Sequence, residues 1–240
     1  MSYVKNYNPG KITMDLPTAN YIYELPLLSF GDAHGPMNLS LIFNSEMRAD
    51  TSNPFHVAAG YKLNVQKRLI MTNGTPAAYQ DANGKCISLY GTDDTYLFAD
   101  DSHRIIRLVD DAYELENPDF STEVYDAAGR IRLARDKYNQ IVLTYQYDAA
   151  GRLTYIDYHG SKRVNFYYSS ASQLALIAYN TTYRLSFDHN AQELQVLHYS
   201  GVAHNIMIPS SAVFSAEATS IEDGAFENRL VFACAPAEFP

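Results

Sequence analysis

The chain has 240 residues, including 20 tyrosines and 11 phenylalanines but no tryptophan. Its hydrophobic content of 47% is typical of a folded protein and argues against a disordered one. The formal net charge of −9 argues against a nucleic-acid-binding protein, which would need a basic surface. We expect no membrane-spanning helix, which needs roughly 20 apolar residues. We also expect no classical secretion signal, because residues 1–10 lack an apolar core.

The first region, residues 1–115, is predicted to be rich in strands but irregular. Its predicted strands, each bounded by turn-forming residues, are 21–28, 39–43, 69–71, 77–79, 96–98 and 104–109. The dipeptide Asn73-Gly74 predicts a tight hairpin between two of them. Residues 114–119, which contain a proline, predict a break before a more regular region.

A short motif is repeated in the second half of the chain. Tyr-Asp-Ala-Ala-Gly-Arg occurs at 125–130 and again at 147–152, with a degraded copy at 168–174 and a looser one at 187–194. The signature residues are Tyr125, Asp126, Gly129 and Arg130 in the first copy and Tyr147, Asp148, Gly151 and Arg152 in the second. We predict that the two arginines pair with a carboxylate or lie over a tyrosine ring.

The repeated motif predicts a turn. An aspartate in its first position accepts hydrogen bonds from backbone amides farther along the turn, and a glycine in its fourth position adopts the left-handed conformation that closes a hairpin. The Asp-x-x-Gly pattern occurs at 32–35, 81–84, 126–129, 148–151 and 157–160, with asparagine replacing glycine at 136–139. Each occurrence is predicted to be a hairpin tip.

The spacing of these turns predicts an all-β fold. From residue 126 onwards turn signals recur every 8–12 residues, which is typical of antiparallel structure. The segments between them alternate, so that Ile141, Leu143, Tyr145 and Tyr147 share one face. We therefore predict that residues 116–205 form an antiparallel hairpin meander. Residues 206–240 are predicted to be a C-terminal extension, in which a short helix at 210–228 is one interpretation.

The motif at a period near 21 resembles the YD repeat of the Rhs/YD-repeat family, which includes bacterial polymorphic toxins, encapsulating components of insecticidal toxin complexes and animal teneurins. The first region supports the resemblance. Residues 21–27 and 39–45 are similar to the opening strands of the family, and residues 53–64 are similar to its Pro-Phe-Gly-x-Gly-Trp-x-Leu-Asn stretch, with Tyr61 in place of tryptophan. The resemblance implies a curved or spiralling sheet, part of the β-shell that such proteins build around a toxin. The chain is too short to close such a shell alone.

The resemblance implies a non-enzymatic structural module that contributes to a β-shell or scaffold associated with toxin encapsulation or export. Its partners would be other parts of a larger Rhs-type polypeptide, or further copies bound through an exposed sheet edge. Such a protein would be made in the cytoplasm and secreted or displayed at the cell surface without a signal peptide. The alternative is a cell-surface or carbohydrate-binding module that uses tyrosine-rich sheet faces to bind glycans.

We assign no catalytic, cofactor-binding or metal-binding residues. The seven histidines occur in no His-x-x-x-His or His-Glu-x-x-His arrangement. Three aspartate doublets, at 93–94, 100–101 and 110–111, are interpreted as solvated tips rather than as a calcium site. The 27 acidic residues contain no motif that would select a catalytic pair of carboxylates. Cys86 and Cys234 are interpreted as two buried thiols.

Overall fold

The computed structural model describes residues 11–15, 20–32, 35–50, 52–92, 94–100, 102–179, 183–189, 194–198 and 202–204. The chain divides into two compact units, Met1–Asn165 and Phe166–Pro240. The predicted extension at 206–240, with its alternative helix and Cys234, lies outside the described residues.

The first unit begins with a four-stranded antiparallel sheet in the order β1-β2-β3-β4. Its strands are β1 (Lys11–Asp15), β2 (Asn20–Asp32), β3 (Gly35–Asn44) and β4 (Tyr61–Leu63). A short 3-10 helix, Ser45–Ala49, follows β3 and is capped by the Asn44 side chain, which accepts a hydrogen bond from the Glu46 amide at 3.0 Å. The two strands predicted here are confirmed and extended. Strand β4 is an addition to the prediction, because three residues are too few to show alternation.

A second sheet follows, in which each strand pairs antiparallel with the next one in sequence. Its strands in this unit are β5 (Arg68–Thr72), β6 (Thr75–Gln80), β7 (Cys86–Thr92), β8 (Thr95–Phe98), β9 (Ile105–Val109), β10 (Ala112–Glu116), β11 (Thr122–Tyr125), β12 (Ile131–Arg135), β13 (Ile141–Tyr147), β14 (Leu153–Tyr158) and the first part of β15 (Lys162–Tyr168). The all-β fold and the antiparallel hairpin meander are confirmed.

The second unit starts with the end of β15 and continues the same plan. Its further strands are β16 (Leu174–Tyr179), β17 (Tyr183–His189), β18 (Leu194–His198) and β19 (Val202–His204). Consecutive strands from β16 to β19 pair antiparallel. The described residues of this unit therefore also form antiparallel pairs between sequence neighbours.

The residues of the predicted break at 114–119 form the end of β10 and the turn that follows it. Residues up to Glu116 belong to β10, which pairs antiparallel with both β9 and β11. Pro118 lies in the turn that joins β10 to β11, where its missing N–H group costs no ladder hydrogen bond. The regular meander therefore begins before residue 116.

Tyrosine fills much of the core of the first unit. Six tyrosines of the meander are buried, namely Tyr79, Tyr96, Tyr113, Tyr125, Tyr145 and Tyr158. Four of these rings meet edge to face in the pairs Tyr79–Tyr125 and Tyr96–Tyr113, with centroids 6.4 and 6.3 Å apart. Cys86, by contrast, is exposed at the start of β7, so the prediction that it is buried is wrong.

The second sheet curves enough to bring its first strand against a later tip. The Leu69 amide of β5 donates to the Gly129 carbonyl at 2.8 Å, and Arg68 forms an isolated antiparallel bridge with Arg130. The Tyr113 hydroxyl donates to the Gly74 carbonyl at 3.1 Å. The two contacts of Arg68 and Leu69 cover part of the edge of β5, which would otherwise offer unpaired backbone groups to another chain.

Candidate functional site

The first copy of the repeat forms a compact turn around one carboxylate. Asp126 Oδ1 accepts hydrogen bonds from the Ala128 and Arg130 amides at 3.0 and 2.9 Å. The Gly129 amide donates to the Asp126 carbonyl at 2.8 Å, and Gly129 has φ +79°. The aspartate and the glycine thus occupy the two positions that the turn requires.

The second copy reproduces this geometry. Asp148 Oδ1 accepts from the Ala150 and Arg152 amides, both at 2.9 Å. The Gly151 amide donates to the Asp148 carbonyl at 3.0 Å, and Gly151 also has φ +79°. Burial pulls the pKa of Asp148 upward, but the hydrogen bonds and charge of Arg152 outweigh it, so the pKa lies below its usual value.

Each repeat arginine is held by the aspartate of its own turn. Arg130 Nε and Nη2 lie 2.9 and 2.8 Å from Asp126 Oδ2. The equivalent distances from Arg152 to Asp148 Oδ2 are both 2.7 Å. One carboxylate therefore organises both the backbone of the turn and the direction of the guanidinium.

The first copy also contacts the second one. The guanidinium carbon of Arg130 lies 5.2 Å from the ring centroid of Tyr147. A Cβ atom on Gly151 would lie 3.5 Å from Arg130 Nη1, in ordinary van der Waals contact. The signature residues of neighbouring repeats are thus in contact, with the arginine of one copy over the tyrosine of the next.

The tyrosines of the repeat do not share one environment. Tyr125 is fully buried, whereas Tyr147 and Tyr168 are half-buried. The difference follows from the curvature of the sheet, which places Tyr125 beside Tyr79 of an earlier strand. Sequence position alone does not reveal this neighbour.

Two variants of the turn use the same chemistry. Asp81 Oδ1 accepts from the Asn83 and Lys85 amides at 2.8 and 2.9 Å. Asp136 Oδ1 accepts from the Tyr138 and Gln140 amides, both at 2.9 Å. At 136–140 the left-handed position is held by asparagine, with φ 63°.

Two further turns keep the backbone pattern with other side chains. In the degraded copy, the Ser169 hydroxyl replaces the carboxylate and accepts from the Gln173 amide at 3.3 Å. Between β10 and β11, the Phe120 amide donates to the Asn117 carbonyl at 2.9 Å, and Phe120 adopts φ 65°. The Asp-x-x-Gly pattern misses this second turn, because phenylalanine stands in the position of the glycine. Asn-Pro-Asp at 117–119 is the signal that could have predicted it.

The hairpin predicted at 157–160 is confirmed, but its turn starts at Tyr158, so the turn-initiating role predicted for Asp157 is wrong. Asp157 lies within β14 and forms two hydrogen bonds of 2.7 Å with Arg163 of β15. The left-handed residues are His159 and Gly160, with φ 47° and 65°. These two consecutive residues of positive φ form a tight turn between Tyr158 and Ser161. Asp157 therefore stays in the strand, where its side chain can form a cross-strand ion pair.

A second polar cluster lies where the curved sheet brings β5 and β6 near β11. Glu123, 6% exposed, accepts hydrogen bonds from Tyr125 and, at 3.4 Å, from Tyr79, and it forms an ion pair with Lys67. Burial first, and then the charge of Glu123, raise the pKa values of both phenols, which therefore remain donors. No sequence motif signals this cluster, because Lys67 and Glu123 are far apart in the chain.

Lys67, Tyr79 and Glu123 of this cluster line a surface depression of about 510 Å³. Arg104 forms one wall, 4.1 Å from the ring centroid of Phe98 and held by Asp100 at 2.9 Å. Asp81 and Asp119 also line the depression. Its cations and Glu123 are paired with each other or with neighbouring residues, so the arrangement has the character of a structural polar network.

The described part of the chain contains no group of metal ligands and no membrane-spanning helix. There, no group of three or more histidine, cysteine, aspartate or glutamate side chains is arranged to hold a metal ion. No helix of the described residues is long and apolar enough to span a membrane.

No family model matches the chain, and no curated protein is significantly similar to it.

Proposed function

We propose that this chain is a non-enzymatic structural module of the Rhs/YD-repeat type, forming part of the wall of a β-shell or scaffold used in toxin encapsulation or export. The observation that carries the proposal is that the signature residues connect one repeat to the next. Asp126 binds its own turn and its own arginine, and Arg130 reaches the next copy at Tyr147. Signature residues that join hairpins support a wall-building role.

The position of the two copies supports the same proposal. They lie in an uninterrupted series of antiparallel hairpins, each strand paired with its sequence neighbours. Such an array is extended by adding hairpins of the same kind, so the chain suits a place within a larger polypeptide of this type. A protein of this class would be made in the cytoplasm and then secreted or displayed at the cell surface.

The genetic locus provides the test. We expect further Tyr-Asp-x-x-Gly-Arg repeats in the same or an adjacent reading frame, followed by a domain that is toxic when expressed alone. In the full polypeptide that domain should resist protease, and a Gly129→Val substitution in the wall should restore its cleavage, whereas Ala127→Ser at an exposed turn position should not. A domain cleaved equally with and without the repeats would contradict the proposal.

A second proposal, glycan binding, is favoured by one observation. Phe120 and Tyr138 are 71% and 72% exposed on the β10–β11 and β12–β13 tips. Two strand spacings separate these tips along the same edge, a distance of about 10 Å. Exposed aromatic rings at hairpin tips are suited to stacking on sugar rings, more so than the tyrosines of the sheet face, six of which are buried.

Glycan-array binding of the intact chain tests this second proposal. Replacing both Phe120 and Tyr138 with serine should abolish the signal. Tyr90→Ser removes a ring that is 54% exposed on β7 and is the matched control, which should bind as the unmodified chain does. Absence of binding by the unmodified chain, or equal loss in the control, would refute a role for the tips.

A further inference from the structure

A lysine side chain is buried where the β6–β7 tip, residues 81–85, packs against the four-stranded sheet. Lys62 in β4 is 0% exposed. Its Nζ donates hydrogen bonds to the carbonyl oxygens of Asp81 and, at 3.2 Å, of Ala82. The same nitrogen lies 5.1 Å from the ring centroid of Phe55. The amine therefore faces two carbonyls and an aromatic ring, groups that replace water only in part.

Other contacts seat the same tip on the first sheet. Asn44 Nδ2 donates to the Asn83 carbonyl at 2.9 Å. A Cβ atom on Gly84 would overlap Met47 Sδ and force that side chain to shift, and the φ of +82° at this position also favours glycine. Three successive carbonyls of the tip are thus bound by Lys62 and Asn44, and the tip in turn forms one wall of the depression described above.

The charged and titratable groups around Lys62 do not compensate its burial. Loss of water dominates and lowers the pKa of Lys62 from its ordinary value of 10.5 to about 7. Asp81 and Cys86 favour the charged amine, while Lys67 and Arg68 oppose it. Asp81 Oδ1 already accepts hydrogen bonds from the Asn83 and Lys85 amides. These bonds hold the carboxylate in the turn and limit its electrostatic stabilisation of a protonated Lys62.

We propose that Lys62 and the β6–β7 tip form a proton-controlled latch, in which the tip closes over the neutral amine and loosens when the amine is protonated. A neutral amine has two N–H groups, which match the two carbonyls. A protonated amine carries a third hydrogen and a full charge, both of which are better served by water. Opening the tip supplies that water.

Proton linkage gives the direction of the effect. In the open tip the amine regains its ordinary pKa of 10.5, whereas in the closed tip the pKa is about 7. Between these values the open state binds more protons, so opening becomes more favourable as the pH falls, by about tenfold for each pH unit. Below about pH 7 the amine is protonated in both states and the opening equilibrium no longer changes.

Hydrogen exchange of the intact chain tests the latch. The Gly84 and Lys85 amides, both bonded to Asp81, report opening of the tip after correction for intrinsic exchange rates. Their protection should rise about tenfold per pH unit between about pH 7 and pH 9 and be constant at lower pH. The Gly151 and Arg152 amides make the same bonds in the β13–β14 tip and serve as the internal control, with no such dependence.

Substitutions and a direct titration complete the test. Lys62→Met should remove the pH dependence of the β6–β7 tip, and Lys62→Arg, which stays charged, should leave the tip weakly protected at every pH. An NMR titration of the Lys62 Cε signal in the unmodified chain does not depend on whether these variants fold. A midpoint above about pH 10, or tip protection that follows the control tip, would overturn the latch.

Discussion

The two repeat glycines offer a controlled pair of substitutions, because their sequence contexts are identical and their surroundings are not. Gly129 and Gly151 both have φ +79°, so alanine suffers the same backbone strain at each, about 1–2 kcal/mol. A Cβ atom at Gly129 would lie 2.2 Å from the carbonyl oxygen of Leu69, whereas at Gly151 it would meet only Arg130 Nη1 at 3.5 Å. Only the first substitution therefore forces β5 away.

The extra cost at Gly129 has two parts, a broken hydrogen bond and a steric displacement. Moving β5 away breaks the hydrogen bond of 2.8 Å from the Leu69 amide to the Gly129 carbonyl, worth about 0.5–1.5 kcal/mol. The steric displacement adds about 1–3 kcal/mol. We therefore expect Gly129→Ala to lower the free energy of unfolding by about 2.5–6.5 kcal/mol, against about 1–2 kcal/mol for Gly151→Ala.

Urea denaturation followed by tyrosine fluorescence and far-ultraviolet circular dichroism measures both losses, compared at equal m-values. Ala127→Ser, at an exposed position of the same turn, is the control and should change stability by less than about 0.5 kcal/mol. Equal losses at the two glycines, or a larger loss at Gly151, would refute the docking of the first tip on β5.

Three other predictions concern the polar groups. Glu123→Ala removes the hydrogen-bond acceptor of two buried phenols and the ion-pair partner of Lys67. We therefore expect the free energy of unfolding, measured in urea, to fall by about 2–3 kcal/mol. A decrease below about 0.5 kcal/mol would contradict the stabilising role of this polar network. Ser169→Asp restores the carboxylate of the degraded repeat and should stabilise the second unit by about 0.5–1 kcal/mol. The gain should appear as a higher melting temperature. An unchanged or lower melting temperature would argue that the turn at 169–173 does not share the chemistry of the repeat turns. The folded pKa of Asp148 lies below its usual value of 3.8, so its contribution is complete above that pH and is lost as the pH falls through the folded pKa. Asp148→Asn should therefore reduce the acid sensitivity of urea unfolding, and an identical pH profile would count against this assignment.

The turns show which features can be predicted from residues that are close together in the sequence. In the repeat turns the Asp126 and Asp148 carboxylates bind amides only two and four residues away, so the pattern is readable within five residues. The same locality explains why Ser169 forms the equivalent turn despite its changed side chain. The hairpin at 157–160 shows the limit, because there the Asp157 carboxylate binds a cross-strand arginine instead of the turn, which starts one residue later than predicted.

The polar clusters could not be read from the sequence. Lys67 and Glu123 meet only because the sheet curves, and their separation in the chain removes any motif. Lys62 has the chemistry of a surface residue, yet it is enclosed by a turn from another sheet. Lysine is almost never fully buried, so sequence reasoning places it in solvent by default.

By itself the sequence determined the class of the fold, the hairpin meander and the chemistry of its repeated turns, since alternation and turn formation depend on neighbours a few residues away. The tertiary structure alone decided which of the two repeat tips is docked on another strand. Gly129 lies against β5 while the identical Gly151 does not, because the curvature of the sheet brings its first strand to one tip and not to the other. Curvature sums small twists over many strands, and no single segment of the sequence encodes that sum.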